Sequence, residues 1–171
     1  LFGFAEIEIK NMLIAGNFHD IGKLLIPNSI LEKPGKLTEH EYALMKCHSY
    51  YTYKTLDSIG GLHEIAQWAG FHHERLDGSG YPFHLKSEEI DTPARIMAVS
   101  DVFTALLEDR PYRKGMDKNQ IYMTIKPMAD NNQLDRNIVE LLFDNYDLVY
   151  NHVKGKQADA RHLYDKTLGV A

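Results

Sequence analysis

Signals that start and stop helices recur along the whole chain, and nowhere do two stretches alternate apolar and polar residues as a pair of strands would. Thr38 followed by Glu41 is a capping box that opens a helix from about Glu39 to Asp57, with Gly60 and Gly61 to stop it. Ahead of it, Ile7, Ile9, Met12, Leu13 and Ile14 have the spacing of a well-buried helix from about Ala5 to Phe18, ended by Gly22. Pro27, Pro34 and Gly35 then enforce a connecting segment. A further helix is expected from about Leu62 to His73, before a loop rich in glycine, proline and aspartate (Gly78, Gly80, Pro82, Asp91). Thr92 as N-cap with Pro93 at the first helical position begins the next helix, which runs to about Glu108 before Arg110 and Pro111. Asp117 with Gln120, and Asp135 ahead of Ile138, Leu141 and Leu142, mark two more starts, and the polar tail from Asn151 to Ala171 reads as a loosely packed helix. No repeat and no linker divides the chain, so the expected architecture is one all-α bundle of six or seven helices.

Composition narrows what such a bundle can do. At 171 residues the chain is long enough to bury a core without disulfides, and its single cysteine, Cys47, excludes an internal disulfide framework and fits a reducing cytoplasm. No apolar run approaches the ~18 residues of a membrane-spanning helix. With 24 acidic and 19 basic residues the net charge is −5, which argues against a long nucleic-acid polymer held on a basic face but allows a small anionic ligand. Leu1 in first place reads as the start of a piece of a longer protein.

The unexpected feature is nine histidines, most of them before position 85. His19 and Asp20, then His48, then His72 and His73, and finally Asp101 form a nitrogen and oxygen ligand set suited to zinc, iron or manganese and unsuited to thiolate chemistry. Adjacent residues on a helix point about 100° apart, so one ion would rarely take both His72 and His73, whereas two ions side by side would use one each. Asp20 and Asp101, each with two carboxylate oxygens, are the candidates to bridge ions ~3.5–4 Å apart and so supply a hydroxide nucleophile. His40, His63, His152 and His162, in charged helical stretches or in the polar tail, are read as ordinary solvated or packed histidines.

Two runs carry a family resemblance. HDIGKLLIPNSILEKP, from His19 to Pro34, and HHERLDGSGYP, from His72 to Pro82, resemble the two signatures of the HD-GYP family, a branch of the HD-domain metal-dependent phosphohydrolases. The similarity continues through His48, through ARIMAVSD ending at Asp101 and through RPYR at Arg110 to Arg113; it is strongest from Ala15 to Gly115. The resemblance implies an all-helical HD domain over residues 1–171 with two or three divalent ions, iron or manganese. It also implies a phosphodiesterase that hydrolyses cyclic di-GMP to pGpG and in some members to GMP. His19, Asp20, His48, His72, His73 and Asp101 become metal ligands by position, with Asp20 orienting the attacking hydroxide. Lys23, one turn from His19, becomes a phosphate contact rather than a solvated lysine, and Arg110 and Arg113 become a phosphate-binding pair. Tyr81 joins the substrate contacts, in a loop the family uses for substrate access and for docking diguanylate cyclase domains.

The sequence departs from the family pattern in three places. A glutamate and a histidine expected some thirty residues before the HD pair have no counterpart among the 18 residues before His19, so the chain is expected to lack the domain's first helix. An upstream sensory or receiver domain is expected in the full protein. Ser49 and Thr52 follow His48 where the family often has proline and glycine, with Tyr50, Tyr51 and Tyr53 on the same helix, and His84 stands where glycine is usual. Two other readings compete with a cyclic di-GMP phosphodiesterase: a hydrolase of another cyclic dinucleotide or nucleotide, and a weakly active or inactive nucleotide-sensing module.

Overall fold

Eight α-helices arise from these signals among the described residues, 3–109 and 114–169 of a computed structural model: α1 (Glu6–Phe18), α2 (Asn28–Leu31), α3 (Glu39–Asp57), α4 (His63–Gly70), α5 (Thr92–Leu107), α6 (Lys118–Asp130), α7 (Arg136–Asp144) and α8 (Tyr146–Leu168). Seven answer to expected helices, and α2 is a single turn that follows Pro27 inside the connecting segment. Short 3-10 turns cover Ile21–Leu25 and Ser87–Glu89. Strand geometry among the described residues is limited to one isolated antiparallel bridge, Asp77 with Lys86. Arg110 and Arg113 lie outside the described residues.

Local chemistry places most helix starts where the sequence puts them. Thr38 accepts from the Glu41 N–H while Glu41 Oε2 accepts from the Thr38 N–H, and Asp117 and Gln120 do the same for α6. Asp135 Oδ1 accepts from the Asn137 and Ile138 N–H groups at the start of α7. The start of α5 differs by one residue: Asp91, not Thr92, is the N-cap, its Oδ1 accepting the Ala94 N–H at 3.1 Å. Both residues can cap, but only Asp91 has a second oxygen, and that oxygen accepts the Trp68 indole N–H from α4 at 2.6 Å.

Helix α5 is shared between two cores. Its first turn, at Ala94, packs with Ala15 of α1, Leu56 of α3 and Ile65, Ala66, Trp68 and Ala69 of α4. Its second half, Ala98 to Leu107, packs with Ile121 and Ile125 of α6, Ile138 and Val139 of α7 and Tyr146 of α8. Arg95 joins the two regions by pairing with Asp135 at 3.0 Å and donating to the Ile90 carbonyl. Asp101 therefore sits on a helix anchored from both sides.

The expectation that α1 is well buried is corrected. Ala15 is its only fully buried residue, while Ile7 and Leu13 are more than 60% exposed, because α4 and α5 cover only the stripe that carries Met12 and Ala15.

Candidate metal centre

The first ligand pair lies past the end of a helix. His19 is the C-cap of α1, and Asp20 turns the chain into the 3-10 segment Ile21–Leu25. That segment lies on α3 so closely that a Cβ on Gly22 would stand 2.6 Å from the Thr52 nitrogen and closer still to the His48 carbonyl. Thr52 completes the seam: its buried hydroxyl accepts the Gly22 N–H at 3.0 Å and donates to the His19 carbonyl at 2.9 Å. Thr52→Val, which keeps the shape and removes both bonds, is expected to cost about 2–4 kcal/mol in chemical denaturation, since it strands two backbone groups at a buried site.

The second doublet corrects the helix reading. Helix α4 ends at Gly70, so His72 and His73 stand in the turn that follows and not on a helix. Helix α4 meets α3 at Gly70, where a Cβ would be 2.6 Å from the Tyr53 Cβ, and the chain then leaves the helix in a turn closed by the Glu74 N–H on the Phe71 carbonyl. In that turn both rings face the same side, with centroids 4.0 Å apart, which the 100° separation on a helix would have prevented.

Three of the four rings are held by one local device. His19, His48 and His72 each place Nδ1 2.6–2.7 Å from the carbonyl three residues back, on Gly16, Met45 and Ala69. A carbonyl only accepts, so each Nδ1 carries the proton and each Nε2 of the neutral ring presents a bare lone pair. Those lone pairs converge: His48 Nε2 and His72 Nε2 are 3.3 Å apart with no proton to share. Two buried lone pairs at that separation repel each other, and a cation between them turns the repulsion into coordination. The donor set, its tautomers and its spacing thus fit a divalent metal.

Each carboxylate spans two rings. Asp20 places Oδ1 3.3 Å from His48 Nε2 and Oδ2 3.5 Å from His19 Nε2, and Asp101 places Oδ1 3.9 Å from His19 Nε2 and Oδ2 3.7 Å from His73 Nδ1. Two groups of ligand atoms lie close together, His48 with His72 and His73, and His19 with Asp20 and His72, while Asp101 stands beside His19 and His73 and belongs to neither group. His72 belongs to both. Lys23, beside the cluster, pairs its ammonium with Asp20 Oδ2. His40, His63, His84, His152 and His162 join neither group; His63 instead bonds Asp57 at 2.7 Å, and His84 takes a positive φ of 58°, which accounts for glycine being usual at that position.

Burial sets the charge of the cluster. It is the main reason that the pKa values of His48, His72 and His73 lie below the imidazole range, that of His72 at about 3, with neighbouring histidines adding to the effect on all three. Burial also raises Asp101, whereas for Asp20 it is outweighed by the Lys23 ammonium and by His19 and His72, which hold the carboxyl below its ordinary value. Histidines kept neutral in the fold take protons first in the unfolded chain, so stability rises with pH across the interval between the two values. For His72 alone, with an ordinary pKa of 6.5, acidifying the metal-free chain from about pH 7 to about pH 5 should remove about 2 kcal/mol. Asp101 acts in the opposite sense and offsets part of this. Urea midpoints across that range measure the slope, and the double variant His48→Gln, His72→Gln should flatten it.

The loop from Glu74 to Ile90 is more than punctuation. The carboxylate of Glu74, 2% exposed, accepts the Phe83 and Leu85 N–H groups at 2.7 and 3.0 Å. Gly80 lets the returning strand of the loop lie against the Glu74–Arg75 backbone, and the Tyr81 N–H bonds the His73 carbonyl at 3.2 Å. The Tyr81 ring then packs on the His73 ring at 4.8 Å, where burial holds its phenol in the protonated form. Glu74 and Thr52 are contributors that reading the sequence missed; Glu74 directly follows the histidine doublet in the loop signature, which was the available signal.

Comparison with known proteins gives the family of the chain. The HD domain family model matches residues 4–138, and the chain belongs to that family, in the HD-GYP branch marked by its HHERLDGSGYP loop. The chain is 43% identical over 141 residues to a 3'3'-cGAMP-specific phosphodiesterase of Vibrio cholerae, covering 82% of this chain and 33% of that protein. It is 45% identical over 127 residues to the cyclic di-GMP phosphodiesterase response regulator RpfG of Xanthomonas campestris, covering 71% and 33%. A cyclic di-GMP phosphodiesterase of Thermotoga maritima is 38% identical over 129 residues, covering 74% and 35%. The chain therefore spans about a third of the length of these relatives. No helix among the described residues is long and apolar enough to cross a membrane.

Proposed function

We propose that this chain is the hydrolytic domain of a cytoplasmic cyclic dinucleotide phosphodiesterase, with His19, Asp20, His48, His72, His73 and Asp101 holding two divalent ions, iron or manganese, and cyclic di-GMP as substrate. The observation that carries the reading is the convergence of bare imidazole nitrogens, His48 and His72 at 3.3 Å, inside two ligand groups that share His72. Asp20 and Asp101, each with one oxygen toward each of two histidines, have the disposition a bridging carboxylate needs. Ions held there would acidify a water and neutralise charge on the phosphoryl group.

The remaining work falls to the chain's own side chains. Asp20 orients the attacking water through the oxygen it does not share with Lys23. Lys23, partly exposed at the edge of the cluster, leaves Asp20 Oδ2 to hold a non-bridging phosphate oxygen as negative charge builds there. Tyr81 stays protonated and donates from the loop side, while Arg110 and Arg113 hold the second phosphate. The loop around Tyr81 is the proposed docking face for a diguanylate cyclase domain, and the upstream part of the full protein would carry a sensory or receiver domain.

Incubation of the manganese-loaded chain with cyclic di-GMP, followed by chromatography, should yield pGpG. Arg113→Glu should reduce turnover of cyclic di-GMP by at least about tenfold, through the roughly 1.5–3 kcal/mol of a charge-assisted hydrogen bond, with metal content unchanged. Equal losses on cyclic di-GMP and on a simple chromogenic phosphodiester would remove Arg113 from dinucleotide recognition.

A further inference from the structure

Three tyrosines follow His48 on α3, and one of them, Tyr50, packs its ring against Phe83 at 6.0 Å. Tyr53 stacks on Phe71 within the fold, but Tyr50 and Tyr51 line an open cleft of about 410 Å³. Lys46 and Cys47 complete its α3 wall, and Tyr81 and Pro82 close the other side. The volume is within the usual ~300–1,000 Å³ of small-molecule sites. The cleft adjoins the metal centre through one shared wall: Tyr81 faces into it and packs on the His73 ring at 4.8 Å.

The cleft has the chemistry of a purine site. Tyr50 and Tyr51 stand edge to face at 6.0 Å and offer ring surfaces for stacking. The Lys46 ammonium is 5.4 Å from the Tyr42 ring centre and 5.7 Å from that of Tyr81, so two rings hold it at the cleft wall. Among the described residues no carboxylate pairs with it. An ammonium only donates. Guanine presents two acceptors, O6 and N7, along one edge, whereas adenine places an amino donor beside N7, which turns the same edge against a lysine.

We propose that this cleft is a guanine subsite, with Lys46 reading the O6 and N7 edge and Tyr50 and Tyr51 giving the stacking surface. The inference rests on the reading of the metal centre as a cyclic dinucleotide phosphodiesterase and adds base selectivity to it. One base of the substrate sits between α3 and Tyr81 while its phosphate lies across Tyr81 at the metal cluster.

Two measurements test this on the whole chain. In the first, kcat/KM of the manganese-loaded protein and of Lys46→Met is compared on cyclic di-GMP and cyclic di-AMP. The substitution should lower the value for cyclic di-GMP about tenfold or more, mainly through KM, with a much smaller loss on cyclic di-AMP and the same manganese content. Equal loss on both substrates would make Lys46 a phosphate contact or a structural residue and overturn the proposal. The second needs no turnover: Cys47, the only cysteine, reports on the cleft through its rate of alkylation by iodoacetamide. Millimolar GMP should slow the reaction and AMP should not, and both Lys46→Met and Tyr50→Leu should abolish the protection. Absence of GMP protection, or equal protection by AMP, overturns the subsite. Protection by GMP in a chain that hydrolyses no cyclic dinucleotide would instead sink the hydrolase reading and leave the subsite standing.

Discussion

Replacing Asp20 with alanine is expected to strip more than one equivalent of metal from the protein and to slow phosphodiester hydrolysis by at least about a thousandfold. The loss should exceed one site because the two oxygens of Asp20 face different histidines, Oδ1 toward His48 of one ligand group and Oδ2 toward His19 of the other, so a single truncation takes a carboxylate oxygen from beside each. The rate effect follows from the several kcal/mol by which bound metal stabilises charge in phosphoryl transfer, at about 1.4 kcal/mol for each factor of ten. Asp20→Asn should be milder in metal content, since the amide keeps one oxygen, but similar in rate, because the bridge and the negative charge are both lost. His63→Ala is the matched control: His63 bonds Asp57 away from the cluster and should keep its full metal content. Elemental analysis and initial rates on the same preparations decide the matter. An Asp20→Ala protein with unchanged metal content would contradict the shared-carboxylate arrangement.

The second large effect is expected at a residue that touches neither metal nor substrate. Gly22→Ala would drive a methyl group into the α3 backbone, 2.6 Å from the Thr52 nitrogen and nearer still to the His48 carbonyl. Neither obstacle is a flexible side-chain end, so the 3-10 segment must move away from α3, at a cost of about 3 kcal/mol or more. The segment carries Asp20 and His19 with it, while His48 stays on α3, so the ligand groups are pulled apart as well. Thermal denaturation should show a large drop in midpoint, and manganese affinity should fall with it. Gly60→Ala is the comparison, because a Cβ there meets nothing within 4 Å. If Gly22→Ala folds and binds metal normally, then the contact of Ile21–Leu25 with α3 does not set the ligand geometry.

These two residues also mark how far the sequence alone could be read. The caps at Thr38, Asp117 and Asp135 were legible because capping is decided within four residues. Asp91 and Thr92 were not separable in that way, since both can cap, and the deciding bond comes from Trp68, 23 positions away in the chain. The ligand set was legible as residue types in signature runs. Its geometry was not, because His72 and His73 converge only in the turn that follows the close approach of α4 to Tyr53 at Gly70. Thr52 looked like a departure from a pattern that often has glycine; in the fold its hydroxyl ties Gly22 to His19, a role that depends on a contact 30 residues distant. Ile7 and Leu13 had the spacing of a buried helix, yet spacing cannot say how many neighbours will cover the face it defines.

The most direct test of the central claim is manganese titration of the purified chain, followed by electron paramagnetic resonance at saturation. Two ions bridged by the carboxylates of Asp20 and Asp101 would lie within magnetic coupling distance, with the single free nitrogen of His72 going to one of them. Two equivalents should bind and give an exchange-coupled spectrum, which Asp20→Ala should abolish. Saturation at one equivalent with the six-line signal of an isolated ion, unaltered by that substitution, would contradict that claim.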